Sequence, residues 1–345
     1  MTNAAQMEMH EAWDGSSGES SGERSPMRDY DLTLFLNVFV VEGMDLDRAR
    51  GVLVGLACGD ALGRPVEFDT ASTITAEHGE LDEMVGYGTW NQSAGTITDD
   101  TEQALRIARS LVEQQEFDPA DIADRFVAWY ESDPFDIGRM TLRSLSCLEN
   151  GAAWDEAGQQ VWEDSPEGSN AGNGSVMRCP PLAIPYATDW ERLVDVSRQS
   201  SQITHADPRC TYGCAVLNLT VAGLLEDVDT PLQDALDYVA DDAPNELVTA
   251  LEPLADGTSP GTLETSGYVV HSLQTALHDG LLATSAEEAI VTAVNRGGDT
   301  DTIGAIAGAV AGARFGASQL PDRWIDAIAE TDELESLAVD LIEVV

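Results

Sequence analysis

Two aspartates open the stretch of the chain whose composition is most typical of metal-binding chemistry. Asp299 and Asp301 each precede a threonine, and the glycine pair Gly297 and Gly298 stands directly before them. Glycine releases the backbone from the usual φ restriction, and carboxylate and hydroxyl oxygens are the ligands that Mg²⁺ and Mn²⁺ prefer. Residues 303–315 then run apolar. This order predicts a turn, a cluster of oxygen ligands and the start of a buried helix.

Helix capping is the alternative role for these acids, and for one pair taken alone it is the more frequent role. A second cluster, Thr-Asp-Asp-Thr at 98–101, precedes another helical pattern over 102–115. Asp99 and Glu102 also fit a capping box. One helix start needs one cap, however. Two helix starts that each carry paired carboxylates and a threonine favour two halves of a single metal site.

Glycines recur every four residues in two of the predicted helices. They stand at 51, 55, 59 and 63 in one segment and at 304, 308 and 312 in the other. A glycine inside a helix costs up to about 1 kcal/mol relative to alanine. We therefore expect both helices to lie in the interior, close to each other or to a common neighbour. The alternative is that the glycines make room for bulky side chains. Gly63 is interpreted as a C-cap and Pro65 as the stop of the first helix.

The remaining periodicity is also helical, and clear strand patterns are nearly absent. The predicted helices are 45–62, 102–115, 121–130, 141–148, 189–199, 212–225, 231–239, 246–254, 267–278, 286–295, 303–315 and 321–329. The sequence thus predicts an all-α fold, with one compact domain over residues 45–345. Residues 1–44 are predicted to be disordered, or an extension from a start codon placed too early.

The charge balance excludes several classes of partner. With 17 basic and 62 acidic residues the net charge is −45, which argues against nucleic acid and anionic membranes as partners. Acidic residues spread along the whole chain are typical of the solvated surface of proteins from salt-loving organisms. Five scattered cysteines and no basic amino-terminal segment favour a reduced, cytoplasmic protein. We expect a monomer.

Four further segments carry candidate site residues, each with a structural alternative. Glu67 lies between apolar neighbours and is a candidate metal ligand or general base, or simply a surface acid. Asp136, two residues before Gly138, could bind a substrate hydroxyl or cap the next helix. The small-residue loop 169–175 could cradle a phosphate with backbone amides, or be a plain turn. His205 is more often structural than catalytic in such a context. No Ser-His-Asp or Cys-His signature supports nucleophilic catalysis.

Taken together, these segments resemble the ADP-ribosylglycohydrolase family, of the type that activates dinitrogenase reductase. The matching pieces, in family order over roughly 48–316, are GLACGDALGRPVE, TDDTEQAL, PFDIG, GNGSVMR, THAD and GGDTDTIGAIAGA. The resemblance implies hydrolysis of the N- or O-glycosidic bond between ADP-ribose and an acceptor. The acceptor would be a protein side chain or a small molecule. It also implies an all-α fold with two Mg²⁺ or Mn²⁺ ions.

The resemblance assigns roles residue by residue. The implied metal ligands are Thr98, Asp99, Asp100, Asp299, Asp301 and Thr302. The implied catalytic residues are Glu67, Asp100 and Asp299. The implied substrate-binding residues are Glu67, Asp136, Gly138, Asn173, Gly174, Ser175, His205 and Gly298.

Four positions depart from the family's pattern. Arg139 stands where some arginine-directed relatives have asparagine, and Ala171 and Gly172 stand where serine-directed relatives have an aromatic residue. Arg296 replaces a usually apolar residue. These differences leave the acceptor residue open. Two other functions fit the same residues: a non-catalytic ADP-ribose-binding or structural member of the family, and a hydrolase of another small nucleotide or glycoside.

Overall fold

The computed structural model describes residues 44–166, 168–258 and 260–344, and this part of the chain is helical. Its α-helices are α1 (Leu46–Gly63), α2 (Ala71–His78), α3 (Asp99–Gln114), α4 (Pro119–Tyr130), α5 (Arg139–Glu149), α6 (Trp154–Glu163), α7 (Trp190–Gln202), α8 (Pro208–Leu225), α9 (Pro231–Val239), α10 (Asn245–Ala255), α11 (Val269–Leu282), α12 (Ala286–Val294), α13 (Thr300–Phe315), α14 (Asp322–Ile325) and α15 (Thr331–Ile342). Short 3-10 helices lie at Arg64–Val66, Gly88–Trp90, Pro180–Ala183 and Ala317–Gln319.

The predicted all-α fold is confirmed, and within the described ranges β pairing is limited to three isolated bridges. Residues 44–344 belong to one compact unit. The predictions for residues 1–43 lie outside the described part of the chain. None of the described helices is long and apolar enough to cross a bilayer.

Helices α1 and α13 pack backbone against backbone along their glycine stripes. A Cβ added to Gly55 would lie 2.2 Å from the carbonyl oxygen of Gly308, and one added to Gly59 would lie 1.9 Å from that of Gly304. No side chain fits in so narrow a space. The predicted proximity of the two helices is therefore confirmed, and the alternative, room for bulky side chains, is not what these glycines provide.

The end of α1 differs from the prediction that Gly63 is a C-cap. Gly63 has a φ of −75°, and the helix continues into the 3-10 turn through Arg64. The absence of a side chain at Gly63 instead makes room for the backbone of Thr300, whose hydroxyl donates to the Gly63 carbonyl at 2.8 Å. The end of α1 is thereby fixed against the start of α13. This contact brings the Glu67 segment to the Asp299 segment.

Candidate functional site

Six carboxyl groups among the described residues line one cavity of about 540 Å³. They come from four separate segments: the turn after α1, the first turn of α3, the loop before α5 and the start of α13. The six are Glu67, Asp99, Asp100, Asp136, Asp299 and Asp301. The structure therefore brings together the two acidic clusters that the sequence places some two hundred residues apart.

A buried acid of α1 holds the first turn of α3 in place. The carboxylate of Asp60 accepts hydrogen bonds from the backbone nitrogens of Thr98 and Thr101, and from both of their hydroxyls. Asp60 is fully buried. Thr98, and not Asp99 as the predicted capping box requires, is the N-cap of α3, and its hydroxyl accepts from the Asp100 nitrogen. Asp60 supports this cap from α1, and the carboxyl groups of Asp99 and Asp100 line the cavity.

At α13 the carboxyl group of Asp299 does not cap the helix. Its backbone occupies the N-cap position, but its side chain makes no capping hydrogen bond. The Oδ2 atom instead accepts from the Asn173 side chain at 2.8 Å. Within α5, likewise, no side chain caps the first turn, so Asp136 is not used as a cap. Capping does not account for either acid.

Burial and mutual repulsion raise the pKa of the carboxyl groups in the cavity. Burial, followed by the charge of Asp136, raises the pKa of Glu67 to about 8. Burial, followed by the charge of Asp60, raises the pKa of Asp136 to about 7. The pKa values of Asp99, Asp100 and Asp301 are raised as well, with burial as the largest cause. Without a cation, this cluster therefore retains protons that isolated acids would lose.

The donor set fits a hard divalent cation. Oxygen atoms of Glu67, Asp136 and Asp301 lie within 4.8 Å of one another. The Oδ1 atom of Asp100 is buried and has no hydrogen-bond partner in the described part of the protein. A buried carboxylate oxygen without a partner is costly unless a cation or a proton satisfies it. Oxygen-only ligation of this kind suits Mg²⁺ or Mn²⁺.

The turn that carries Glu67 is tied to the glycine pair before α13. The backbone nitrogen of Phe68 donates to the Gly298 carbonyl at 2.7 Å, and the Gly298 nitrogen donates to the Asp69 carbonyl at 2.8 Å. Gly297 and Gly298 both have positive φ, as expected for a glycine turn. Gly298 thus positions Glu67 through its backbone and does not itself line the cavity.

A buried arginine organises the segment on the other side of Glu67. The guanidinium of Arg64 donates to the carbonyl oxygens of four residues between 85 and 96. This segment carries Trp90, whose indole nitrogen donates to the Glu67 carboxylate. Arg64 therefore fixes the loop that orients Glu67.

Another part of the cavity wall, called the neutral wall below, carries mostly uncharged residues. It includes Gly138, Asn173, Gly174 and His205. The imidazole packs on the glycine loop so closely that a Cβ on Gly174 would lie 2.9 Å from the His205 Cε1 atom. Burial, followed by the charge of Arg178, lowers the pKa of His205 to about 3, so its ring is neutral near pH 7.

Besides Gly298, two predicted site residues, Thr98 and Ser175, do not line the cavity. The Thr98 hydroxyl bonds to Asp60 and Asp100, and the Ser175 hydroxyl bonds to the hydroxyl of Ser201. Thr302, by contrast, lines the cavity, and its hydroxyl donates to the Met177 sulfur at 3.8 Å.

Sequence reasoning missed Asp60, Arg64, Trp90, Gln103 and Arg178. Asp60 left a usable signal, because an acid inside a glycine-striped, buried helix must find hydrogen-bond donors. Gln103 left one too, because its amide nitrogen donates to Asp99 one helical turn before it. The two arginines left none, since their partners are distant in sequence.

Comparisons with known proteins agree with this geometry. The ADP-ribosylglycohydrolase family model matches residues 43–345. The ADP-ribosyl-[dinitrogen reductase] glycohydrolase of Rhodospirillum rubrum is 33% identical over 280 residues, which cover 81% of this chain and 89% of that protein. An ADP-ribosylarginine hydrolase of Pseudomonas putida is 32% identical, and the aligned region covers 86% of this chain and 78% of that protein.

Structural similarity extends over the same region. A solved structure of an ADP-ribosylglycohydrolase-related protein complex superimposes with a TM-score of 0.72 and 33% identity, covering 86% of this chain and 97% of that one. An ADP-ribosylhydrolase of Homo sapiens is 27% identical and covers 86% of this chain and 93% of its own. Family members depend on metal ions in general, as the carboxyl cluster leads one to expect. The chain therefore belongs to the ADP-ribosylglycohydrolase family.

Proposed function

We propose that this protein hydrolyses the glycosidic bond between ADP-ribose and an acceptor, using divalent cations held by its carboxyl cluster. The observation that carries the proposal is the convergence of six acids from four segments on one cavity in a chain of this family. A volume of about 540 Å³ also lies within the range of small-molecule sites.

Asp99, Asp100, Asp299 and Asp301 are the proposed metal ligands, with Thr98 and Thr302 completing the set. All four carboxyl groups line the cavity, and we propose that they bind two Mg²⁺ or Mn²⁺ ions. When bound, such ions lower the pKa of coordinated water and hold substrate oxygens. The chain's own contribution is orientation: Asp60 fixes the α3 ligands, and Asn173 fixes Asp299.

Glu67 is the proposed acid/base. Hydrolysis of a glycosidic bond passes through an oxocarbenium-like state and needs a group that transfers a proton near neutral pH. The raised pKa of Glu67, about 8, places that group in the required range. Asp136 lies close enough to share a cation with it and is the proposed partner of a ribose hydroxyl.

The neutral wall is the proposed site of the diphosphate. The net charge of −45 does not attract a free anion, so we expect backbone amides and neutral donors near Gly174 and His205 to hold the diphosphate, together with Arg139, which also lines the cavity. Asn173, Gly138 and Ser175 complete this wall or support it from behind.

The experiment that tests the proposal is release of free ADP-ribose from defined substrates. Peptides ADP-ribosylated on arginine or on serine, and a small ADP-ribosyl compound, are incubated with the protein and Mg²⁺ or Mn²⁺. We expect release from at least one substrate, and we expect EDTA to abolish it. A folded, metal-loaded protein that binds ADP-ribose by calorimetry but releases none would contradict catalysis and favour the non-catalytic alternative.

We place this activity in the cytoplasm. Cys58, Cys179, Cys210 and Cys214 are buried as free thiols, and Cys147 is half-buried and also free. Free thiols are typical of reducing compartments.

A further inference from the structure

Arg178 is a fully buried guanidinium that no carboxylate contacts directly among the described residues. Its Nη1 atom donates to the Gln103 side-chain oxygen at 2.5 Å, and its Nη2 atom donates to the Thr204 hydroxyl at 2.7 Å. The guanidinium also stacks on Phe126, 4.4 Å from the ring centroid. Three separate elements thus hold the group in a single orientation.

Thr204 passes this orientation on to the histidine of the cavity. Its hydroxyl oxygen lies 2.7 Å from Nδ1 of His205. Thr204 is completely buried, and the described residues offer its hydroxyl no hydrogen-bond acceptor other than that nitrogen. Because Arg178 has only donors, Thr204 must accept from it and must direct its own hydrogen elsewhere.

Only one arrangement of protons satisfies both the contact between Arg178 and Thr204 and the contact between Thr204 and His205. If Nδ1 of His205 carried the proton, the Thr204 hydrogen would be buried without an acceptor, which costs free energy. If Thr204 donates to Nδ1, every polar atom of the contact is paired. The ring proton must then reside on Nε2, since the neutral imidazole carries one.

The Nε2 atom is free to meet a ligand. His205 lines the cavity, and Nε2 makes no hydrogen bond within the described ranges. The ring itself is held by its backbone, because the His205 nitrogen donates to the Ser201 carbonyl and the His205 carbonyl accepts from the Ser201 hydroxyl.

We propose that Arg178 and Thr204 form a relay that fixes His205 in the Nε2–H tautomer, so that the ring presents a donor to an oxygen of the substrate. Arg178 and Thr204 are positioning residues, and His205 is the group that touches substrate. The identity of that substrate rests on the function proposed above. The tautomer assignment is independent of that function, because it follows from contacts inside the protein.

The test measures the tautomer directly by ¹⁵N NMR of histidine-labelled, full-length protein at pH 7. The His205 resonances are assigned by comparison with His205→Gln. We expect Nε2–H in the wild type. Arg178→Met is the direct variant and Thr204→Val the milder, nearly isosteric one, and both should shift His205 toward a mixture of tautomers. Thr204→Ser keeps the hydroxyl and should restore the wild-type spectrum.

Thr220→Val is the matched control. Thr220 is equally buried, but its hydroxyl donates within α8 to the Val216 carbonyl. This variant should leave the His205 spectrum unchanged. An Nδ1–H wild type, or a Thr204→Val spectrum identical to the wild type, would overturn the relay.

Kinetics supply the second readout. With an ADP-ribosylated substrate, Thr204→Val should raise KM about twofold, as expected when about half of the rings lose the Nε2 proton, while kcat stays nearly unchanged. An unchanged KM would overturn the donor role of His205. A wild type with the expected tautomer that hydrolyses no ADP-ribosyl substrate would support the relay and count against the proposed function alone.

Discussion

The carboxylate of Asp60 accepts hydrogen bonds from both the backbone nitrogen and the hydroxyl of Thr98, at 3.0 Å and 2.9 Å. Through this contact the central helix α1 fixes the start of α3, where two of the proposed metal ligands lie. The same helix, through its glycine stripe, fixes the start of α13. One helix therefore positions both halves of the carboxyl cluster.

We predict that Asp60→Asn destabilises the protein and weakens metal binding. The new amide places donor hydrogens against the donors of Thr98 or Thr101, so buried groups lose their acceptor. A loss of about 1–3 kcal/mol in the free energy of unfolding is expected for such a group. Chemical denaturation measures it, together with calorimetric titration of Mn²⁺.

Asp189→Asn is the control for this substitution. Asp189 is the side-chain N-cap of α7, a role that asparagine fills equally well. The free energy of unfolding of the Asp189→Asn variant should match that of the wild type. If Asp60→Asn were as stable as this control and bound Mn²⁺ equally well, the bracing role of Asp60 would be wrong.

Gly55→Ala should disrupt the pairing of α1 and α13. The added methyl group would meet the Gly308 carbonyl oxygen, a backbone atom that cannot turn aside. We expect a loss of about 3 kcal/mol or more, at the upper end of what overpacking costs. Thermal unfolding measures the change. Gly261→Ala, where the methyl group meets no atom within 4 Å, should leave the melting temperature nearly unchanged. Equal melting temperatures for the two variants would contradict the packing account.

The stability of the metal-free protein should fall as pH rises from about 4 to about 8. The unfolded chain releases its carboxyl protons near pH 4, whereas folding raises the pKa of Asp136 to about 7 and that of Glu67 to about 8. Between these values the native state binds more protons than the unfolded state, so the slope of unfolding free energy against pH is negative. The stabilisation is complete below pH 4 and is lost as pH rises through 7 to 8.

Denaturation at a series of pH values, with and without Mg²⁺, measures this slope. A bound cation should flatten it, because the cation replaces the protons. Glu67→Gln should flatten the slope in the metal-free protein, while Glu77→Gln on the exposed face of α2 should not. A slope that neither Mg²⁺ nor Glu67→Gln alters would show that these carboxyls do not behave as the structure implies.

Asp299→Asn should abolish most of the hydrolytic activity without loss of helix content. The amide keeps nearly the same shape, and Asp299 makes no capping hydrogen bond to α13 that the substitution would remove. We expect kcat/KM to fall at least about a hundredfold, with an unchanged far-ultraviolet circular dichroism spectrum. A collapse of helicity would instead identify Asp299 as chiefly structural.

The close packing of α1 and α13 could be predicted because each of the two segments has a glycine at every fourth position, and this pattern is visible without knowledge of the fold. The sequence also predicted that the two acidic clusters lie close together, because each cluster carries more polar side chains than the capping of one helix requires. Helix α15 also carries an apolar pattern, with Leu334, Leu337, Ala338 and Leu341 buried, and was nevertheless overlooked.

Other features could not be read from the sequence. Helix α2 buries only Ile74, so its apolar periodicity is too weak to see. The roles of Arg64 and Arg178 depend on carbonyl, amide and hydroxyl partners that only folding brings near. The prediction that α1 ends with Gly63 as its C-cap is wrong, because this glycine makes room for a packing contact with Thr300 and does not form a turn.

Metal titration tests the central claim most directly. Mn²⁺ is titrated into metal-free protein, and the free ion is followed by electron paramagnetic resonance in the wild type and in Asp301→Asn. We expect two Mn²⁺ ions per wild-type chain and a weakened or lost site in the variant. No saturable binding by the wild type, or equal binding by Asp301→Asn, would contradict the assignment of this carboxyl cluster as a metal centre.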